Sequence, residues 1–379
     1  MQKIKITDFY EEFRPYNEAE TKEAILRVVK DKRFYKIIKF FYPQYSDDDY
    51  DKLIASLNSI KDFQINIMHN IINKIVDTSS TGLTYSGIEN VKKDENYVFV
   101  SNHRDIFLDA SLLQVILVDE GLPTTEITFG NNLMKDKLVY DIGKINKMFK
   151  VYRKGTPKEL LKKTIQLSEY IRYTIFNKNQ SVWIAQRGGR TKDGSDKTQT
   201  GIIKMLNSSG TDSIEENIKS LNIFPLSISY EFEPNDYLKV NELLHTEKEK
   251  YIKSENEDLN SIIEGITMNK GKIHLAFGKP ISDNLKEIEN ISRTNDKIKK
   301  IAEIIDNQIY NNYKLWANNY IASDILNKNN KFSDFYSDKE KQIFITYMTK
   351  QLLKVDGDNK KAEELFLKIY ANPVFNCIK

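Results

Sequence analysis

The chain has 379 residues, 40% of them hydrophobic, and its 57 Lys and Arg residues against 54 Asp and Glu residues give a formal net charge of +3. This balance excludes a globally basic surface of the kind that binds nucleic acid, and the single cysteine, Cys377, excludes intrachain disulfides and cysteine-based zinc sites. No segment approaches the ~20 apolar residues of a membrane-spanning helix, and residues 1–8 lack the apolar core of a signal peptide. We therefore expect a protein that is soluble or lies on a membrane surface, and the single cysteine suits a reducing compartment.

Residues 1–82 are predicted to form an N-terminal helical region. Apolar side chains recur there at helical spacing, first from Ile25 to Phe41 and then from Leu53 to Ile75. Pro43 and the aspartates at 47–49 separate the two sets, so we expect at least two helices here.

Residues 83–285 alternate short apolar segments with helical patterns, which is typical of an α/β domain. The helix predicted at 157 has a defined start, with Thr156 as N-cap, Pro157 in the first position and Glu159 in the third. The pattern predicts strands at 83–86, 97–101, 125–129, 149–152, 181–185, 223–230 and 273–277, and helices at 108–120, 135–142, 157–176 and 201–207.

Residues 286–379 return to helical spacing and are predicted to form a C-terminal helical region. Asp356 to Asn359 mark a turn within it, without the full spacing of a calcium-binding loop. The expected fold is therefore α/β, with a mixed central sheet flanked by helices and with helical N- and C-terminal extensions.

The segment from Ser101 to Asp109 places a histidine and two carboxylates directly after the predicted strand 97–101. The chain has four histidines, and a histidine oriented by a carboxylate can take a proton from a hydroxyl near neutral pH. Asp109 lies six residues after His103, and the following helix would bring it back towards the imidazole. Asp105 is a competing partner for His103, or equally the N-cap of that helix.

A second segment combines Gly143, Phe149, Val151 and Arg153 around a predicted strand. A third forms a glycine-rich, basic turn after the strand 181–185. Its two glycines allow a backbone to approach a ligand, and its cations and hydroxyl suit a phosphate. The residues concerned are Arg187, Gly188, Gly189, Arg190, Thr191 and Lys192.

A fourth segment, Phe224-Pro225-Leu226, lies in the predicted strand 223–230. In order and in type, the four segments resemble the motifs of the glycerolipid acyltransferases, the family of glycerol-3-phosphate and lysophosphatidate acyltransferases. The chain departs from the family pattern in three places. The first motif reads His-x5-Asp instead of His-x4-Asp, the second has extra residues before Phe149, and Arg187 occupies the position of a glutamate in the third.

The resemblance implies that His103, oriented by Asp109 or Asp105, is the catalytic base of an acyl transfer. It assigns the acceptor phosphate to Arg153 and Arg190, with Arg187 and Lys192 as secondary candidates. The remaining motif residues would form the substrate pocket, namely Gly188, Gly189, Thr191, Phe224 and Pro225.

The same resemblance implies an acyl thioester of coenzyme A or acyl carrier protein as donor and a glycerol-phosphate acceptor, without a metal or a resident cofactor. Basic clusters at 144–154, 158–163 and 187–197 suit anionic headgroups or phosphorylated substrates. We therefore expect a cytoplasmic protein, peripherally bound to the inner face of the membrane, with no nucleic-acid partner. An acyl-thioester hydrolase and a non-catalytic lipid-binding homologue are the alternatives.

Overall fold

The computed structural model describes residues 8–11, 13–130, 136–152, 154–246 and 257–378. A seven-stranded sheet lies at the centre of this part of the chain, and every strand predicted from the sequence is present with bounds that differ by one residue at most. The strands are β1 (Gly82–Ser86), β2 (Val98–Ser101), β3 (Glu126–Gly130), β4 (Met148–Val151), β5 (Val182–Ala185), β6 (Ile223–Tyr230) and β7 (Lys272–Phe277).

The strand order across the sheet is β1-β7-β6-β2-β5-β3-β4. Neighbouring strands are parallel except β6 and β7, so the sheet is mixed, as predicted. Ser101 at the end of β2 pairs with Ala185 of β5 on one side and with Leu226 of β6 on the other. Because parallel strands end at the same edge, the segments that follow β2 and β5 meet there.

The helices cover both faces of the sheet and both terminal regions. A π-helical turn, Gln64–His69, joins α5 to α6. The helices are α1 (Asp8–Glu11), α2 (Glu18–Lys30), α3 (Lys32–Phe41), α4 (Asp47–Ala55), α5 (Ile60–Phe63), α6 (Asn70–Ser79), α7 (Leu108–Asp119), α8 (Lys137–Ile145), α9 (Pro157–Phe176), α10 (Thr200–Asn207), α11 (Ile214–Lys219), α12 (Asp236–Thr246), α13 (Glu257–Thr267), α14 (Thr294–Asn312), α15 (Ala317–Asn327), α16 (Asp338–Leu352) and α17 (Asn359–Cys377).

The predicted capping box at the start of α9 is present. The Thr156 hydroxyl accepts from the Glu159 backbone N–H at 3.3 Å, and the Glu159 carboxylate accepts from the Thr156 backbone N–H at 2.8 Å. The sequence pattern did not predict α11, α12 and α13. In α12 the buried side chains include Asp236 and Lys239, and such polar residues on the inner face break the apolar period that predicts a helix.

Three hydrophobic cores hold these layers together. On one face of the sheet α2 to α7 pack against Phe99, Ile127 and Trp183, and on the other face α9, α10, α11 and α14 pack against alternate residues such as Val98 and Val182. The third core joins α12, α15, α16 and α17. The N-terminal helices thus share a core with the sheet, and the three-domain division remains a prediction. None of the helices described here combines the length and apolarity that crossing a membrane requires.

Candidate active site

His103 and Asp109 lie in contact at the edge of the sheet where β2 ends. The His103 Nδ1 atom is 2.9 Å from Asp109 Oδ2, and both residues are buried, with 9% and 2% of their surfaces exposed. Asp109 is the second residue of α7, so the turn before this helix accommodates the additional residue of the His-x5-Asp spacing. Since Nδ1 faces the carboxylate, Nε2 is the nitrogen that can exchange a proton with a substrate.

Three further donors fix the Asp109 carboxylate. Its Oδ2 atom accepts from the backbone N–H groups of Arg104 at 2.6 Å and Asp105 at 2.9 Å, and its Oδ1 atom accepts from the Tyr230 hydroxyl at 2.8 Å. Burial, followed by the charge of Asp109, raises the pKa of Tyr230 well above its usual value, so Tyr230 stays a donor. The sequence reasoning did not identify Tyr230 as part of the site, because its link to Asp109 spans 121 positions of the chain.

Asp105 has a different role from Asp109. Its Oδ1 atom accepts from the backbone N–H groups of Phe107 at 2.9 Å and Leu108 at 2.8 Å, which satisfies donors at the start of α7. Burial and the neighbouring Asp109 raise the pKa of Asp105. Of the two candidate partners for His103, the structure therefore places Asp109 against the imidazole and Asp105 at the helix start.

The residues on either side of His103 anchor the motif to the rest of the domain. The Asn102 side chain donates to the Ile228 carbonyl at 2.9 Å and accepts from the Ile228 N–H at 2.8 Å, which ties the turn to β6. Arg104 is fully buried and pairs with Asp196 and, at 3.1 Å, with Glu233. These contacts fix the backbone on both sides of the imidazole.

Lys239 completes a buried cluster with Arg104, Asp196 and Glu233. It pairs with Glu233 and donates to the Arg104 carbonyl at 2.8 Å. The two positive and two negative charges balance, as buried ions must, and loss of one partner would leave an uncompensated charge. The sequence reasoning missed Asp196, Glu233 and Lys239, since they come from two segments far from His103 in the chain and no local pattern marks them.

The glycine-rich turn lies directly beside the histidine. The Thr191 backbone N–H donates to the His103 carbonyl at 2.8 Å. Arg190 is only 6% exposed, and its Nη1 atom has no hydrogen-bond partner among the described residues. Arg187 donates to the Thr191 hydroxyl at 3.3 Å, and its Nε atom is likewise without a partner in that set. Two guanidinium groups near His103 thus keep donors available for an anion.

The two glycines of the turn differ in what they do. The Gly188 backbone N–H donates to the Gln199 side chain at 2.9 Å, so this group is already engaged. Gly189 adopts a φ of +92°, a conformation that favours glycine. Lys192 forms an ion pair with Glu242 of α12, and Arg153, the other predicted phosphate ligand, lies outside the described residues.

The fourth motif contributes to the core of the sheet. Phe224 is fully buried and its ring lies 5.1 Å from that of Tyr97 and 5.3 Å from that of Phe99. Pro225 pairs with Val100 in the middle of β2, before the edge that carries His103. Both predicted pocket residues therefore support the strands, and β6 reaches the site further on, through Ile228 and Tyr230.

The C-terminal helix α17 holds the loop that follows the glycine-rich turn. The Asn372 side chain donates to the Asp193 carbonyl at 2.6 Å, and the Asn376 side chain donates to the Ser195 carbonyl at 2.8 Å. Gly194 lies between them at a φ of +77°, and a Cβ atom there would come within 2.2 Å of the Ile369 carbonyl oxygen. The C-terminal helical region thus positions part of the candidate site.

Three comparisons with known proteins relate this chain to acyltransferases. Residues 82–229, which include His103, Asp109 and Arg190, match the family model described as Acyltransferase. The chain is 24% identical over 289 residues to the human dihydroxyacetone phosphate acyltransferase, a match that covers 71% of this chain and 41% of the human protein. The crystal structure of the 1-acyl-sn-glycerophosphate (LPA) acyltransferase PlsC from Thermotoga maritima aligns with 76% of this chain and 95% of that chain, with 15% identity and a TM-score of 0.38.

Proposed function

We propose that the protein transfers a fatty acyl group from an acyl thioester to a hydroxyl of a glycerol phosphate, and the match of residues 82–229 to the family model described as Acyltransferase supports this proposal. The donor would be acyl-coenzyme A or acyl carrier protein, and the acceptor glycerol 3-phosphate or lysophosphatidate. The observation that carries the proposal is the His103–Asp109 pair, with Nδ1 held at 2.9 Å and Nε2 left for the substrate.

In the proposed reaction, His103 Nε2 takes the proton of the acceptor hydroxyl as its oxygen attacks the thioester carbonyl carbon. The carbon–oxygen bond forms, the carbon–sulfur bond breaks, and the thiolate leaves with the proton returned by the imidazolium. Asp109 orients the imidazole and stabilises its positive charge. No acyl-enzyme is needed, because both substrates are bound at once.

The acceptor phosphate would bind to Arg190 and Arg187. Both side chains keep unpartnered donors within the described residues, and a guanidinium group binds phosphate oxygens in a bidentate manner. Arg153 and Lys192 are further candidates, although Lys192 already pairs with Glu242.

The acyl chain would enter between the π-helical turn, α6, α7 and the adjacent face of the sheet, where a cavity of about 30 Å³ would have to widen to admit it. Burial of a fatty chain in such a cavity is favourable because it removes methylene groups from water. The cavity lies against the start of β3 and β4, and its apolar lining includes Met68, Ile72, Val115, Val118, Ile127 and Met148.

The surface of α3 would place the site against an anionic membrane. Phe40 is 69% exposed on this helix, and exposed aromatic residues beside cations are typical of helices that lie in a lipid interface. Arg33 pairs at 2.7 Å with Asp136, the N-cap residue of α8, so α3 contacts the start of that helix. The cations of α3 are Lys32, Arg33, Lys36 and Lys39.

The test is an acyl transfer assay with purified protein. Labelled acyl-coenzyme A or acyl-acyl carrier protein is incubated with glycerol 3-phosphate or lysophosphatidate, in the presence of vesicles with and without anionic lipid, and labelled lipid is separated from free fatty acid. We expect labelled lipid that depends on the acceptor and that increases with anionic vesicles. Free fatty acid regardless of acceptor would identify a thioesterase instead, and no turnover with any donor would favour a lipid-binding role.

A further inference from the structure

Trp183 lies beside His103 and, within the sheet, next to strand residues that line the apolar cavity. It pairs in register with Phe99 of β2 on one side and with Ile127 of β3 on the other, and Ile127 pairs with Met148 of β4. Paired residues of neighbouring strands project from the same face of a sheet, so these four side chains form one row. Ile127 and Met148 line the cavity, and the row leads from it to Trp183.

The Trp183 ring also contacts His103. The two ring centroids are 5.9 Å apart and the ring planes are inclined by 75°, an edge-to-face arrangement. An acyl thioester with its chain in the cavity and its carbonyl carbon near a hydroxyl held by His103 would therefore pass Trp183.

The indole nitrogen of Trp183 is a buried donor without a partner. Trp183 is only 4% exposed, and its Nε1 atom makes no hydrogen bond with any described residue. An unpaired buried donor destabilises a fold, and a buried tryptophan usually has a partner for its N–H group. Phenylalanine would fill much of the same space without that cost, and the N–H group of Trp183, beside His103, is left free to donate to a ligand.

We propose that the Trp183 Nε1–H group donates a hydrogen bond to the carbonyl oxygen of the acyl thioester, and that this bond strengthens as negative charge develops on that oxygen. The inference rests on the proposed acyl transfer and assigns the donor carbonyl to a residue of this chain. When the acceptor oxygen attacks, the carbonyl π electrons move to the oxygen that Trp183 holds. They return as the carbon–sulfur bond breaks, and the thiolate takes the proton from His103. Trp183 itself exchanges no proton.

The kinetic test is Trp183→Phe, which keeps an aromatic ring against His103 and removes the N–H group. The matched control is Trp316→Phe, because Trp316 is the only other tryptophan and its Nε1 atom is also unpartnered among the described residues. The Trp316 ring lies against the ammonium group of Lys272, away from the row of Trp183.

We expect kcat of Trp183→Phe to fall about 100-fold, as for loss of one donor to a developing oxyanion, with an unchanged acceptor KM. Because Trp183 also packs in the core, kcat is compared at a temperature well below the thermal midpoint of each variant, so that a loss of stability does not enter the comparison. A kcat within twofold of the wild type, or an effect confined to the acceptor KM, would overturn the proposal.

A binding measurement separates this proposal from the acyl transfer on which it rests. The probes are a coenzyme A ketone analogue, in which a methylene group separates sulfur from the carbonyl, and the corresponding alkyl thioether without a carbonyl. The ketone should bind more tightly than the thioether to the wild type and to Trp316→Phe, and equally to Trp183→Phe. In Trp316→Phe, where Trp183 is the single tryptophan, binding of the ketone should also shift the tryptophan fluorescence emission of the protein.

If the wild type transfers no acyl group but the ketone preference depends on Trp183, the proposed function fails and the carbonyl site stands. If transfer occurs and the ketone preference survives in Trp183→Phe, only the Trp183 assignment fails.

Discussion

Replacement of Asp109 by asparagine removes the charge behind His103 while keeping the shape of the site. With its amide oxygen in the position of Oδ2, the introduced asparagine would still accept from the His103 ring and from the backbone N–H groups of Arg104 and Asp105, which now contact Oδ2 at 2.9, 2.6 and 2.9 Å. Its amide NH₂ group would face the Tyr230 hydroxyl, which can rotate to accept. We therefore expect Asp109→Asn to fold normally.

The expected loss of activity follows from the lost charge. A carboxylate facing an imidazolium across 2.9 Å contributes about 6 kcal/mol of Coulomb energy at an effective dielectric constant of about 20, and a charge-assisted hydrogen bond contributes a net of about 1.5–3 kcal/mol. If transition-state stabilisation falls by about 3–5.5 kcal/mol, kcat should decrease roughly 100- to 10,000-fold. The decrease should appear in kcat with little change in either KM, since Asp109 contacts no substrate in the proposed reaction.

Asp105→Asn is the matched control in the same acyl transfer assay. Asparagine is also a good helix N-cap and would keep one oxygen for the Phe107 and Leu108 N–H groups, so its kcat should stay within a few-fold of the wild type. Circular dichroism and thermal unfolding of both variants establish that the comparison is between folded proteins. An active Asp109→Asn beside an inactive Asp105→Asn would refute the assignment of Asp109 to His103.

Three further variants test the pH dependence of stability, the contact of the glycine-rich loop with α17, and the binding of the acceptor phosphate. Burial raises the pKa of Asp236 from 3.8 to about 6, so the folded protein holds a proton that the unfolded chain releases, and stability falls as pH rises from about 4 to 6. Between these pH values the free energy of unfolding should fall by about 3 kcal/mol less in Asp236→Asn than in the wild type, as measured by urea unfolding at both pH values. Identical pH profiles for variant and wild type would contradict this. Gly194→Ala should destabilise the protein by about 1–3 kcal/mol and lower kcat, because the new Cβ would lie 2.2 Å from the Ile369 oxygen at a φ of +77°. The control Gly201→Ala lies in a helix with open space around it and should do neither. Equal effects of the two variants would argue against the contact with α17. Arg190→Lys should raise the acceptor KM about tenfold or more with a smaller change in kcat, and an unchanged acceptor KM would remove Arg190 from phosphate binding.

Local sequence patterns predicted much of the fold. All seven predicted strands are present, and α9 occupies the predicted residues 157–176, because its capping box involves groups only three residues apart. The pattern failed at α12 and α13. These helices bury Asp236, Lys239 and Gly265, and their partners come from distant segments: Tyr347 and Tyr370 donate to Asp236, and Gly265 packs against Asp105. A helix whose inner face is polar has no apolar period from which to be predicted.

For the site, the sequence by itself determined the seven-residue segment that contains both His103 and Asp109, since a strand followed by a helix brings residues six apart together. It did not decide between Asp105 and Asp109. That choice depends on the donors around each carboxylate, and Tyr230 and Asn235, more than 120 positions away, are among them. Only the tertiary structure paired Arg104 with Asp196 and Glu233, placed Phe224 in the aromatic core and brought Trp183 beside His103. The physical reason is that backbone hydrogen bonds and caps act between near neighbours in the chain, whereas the partner of a buried charge or ring is set by the order in which strands pair across the sheet.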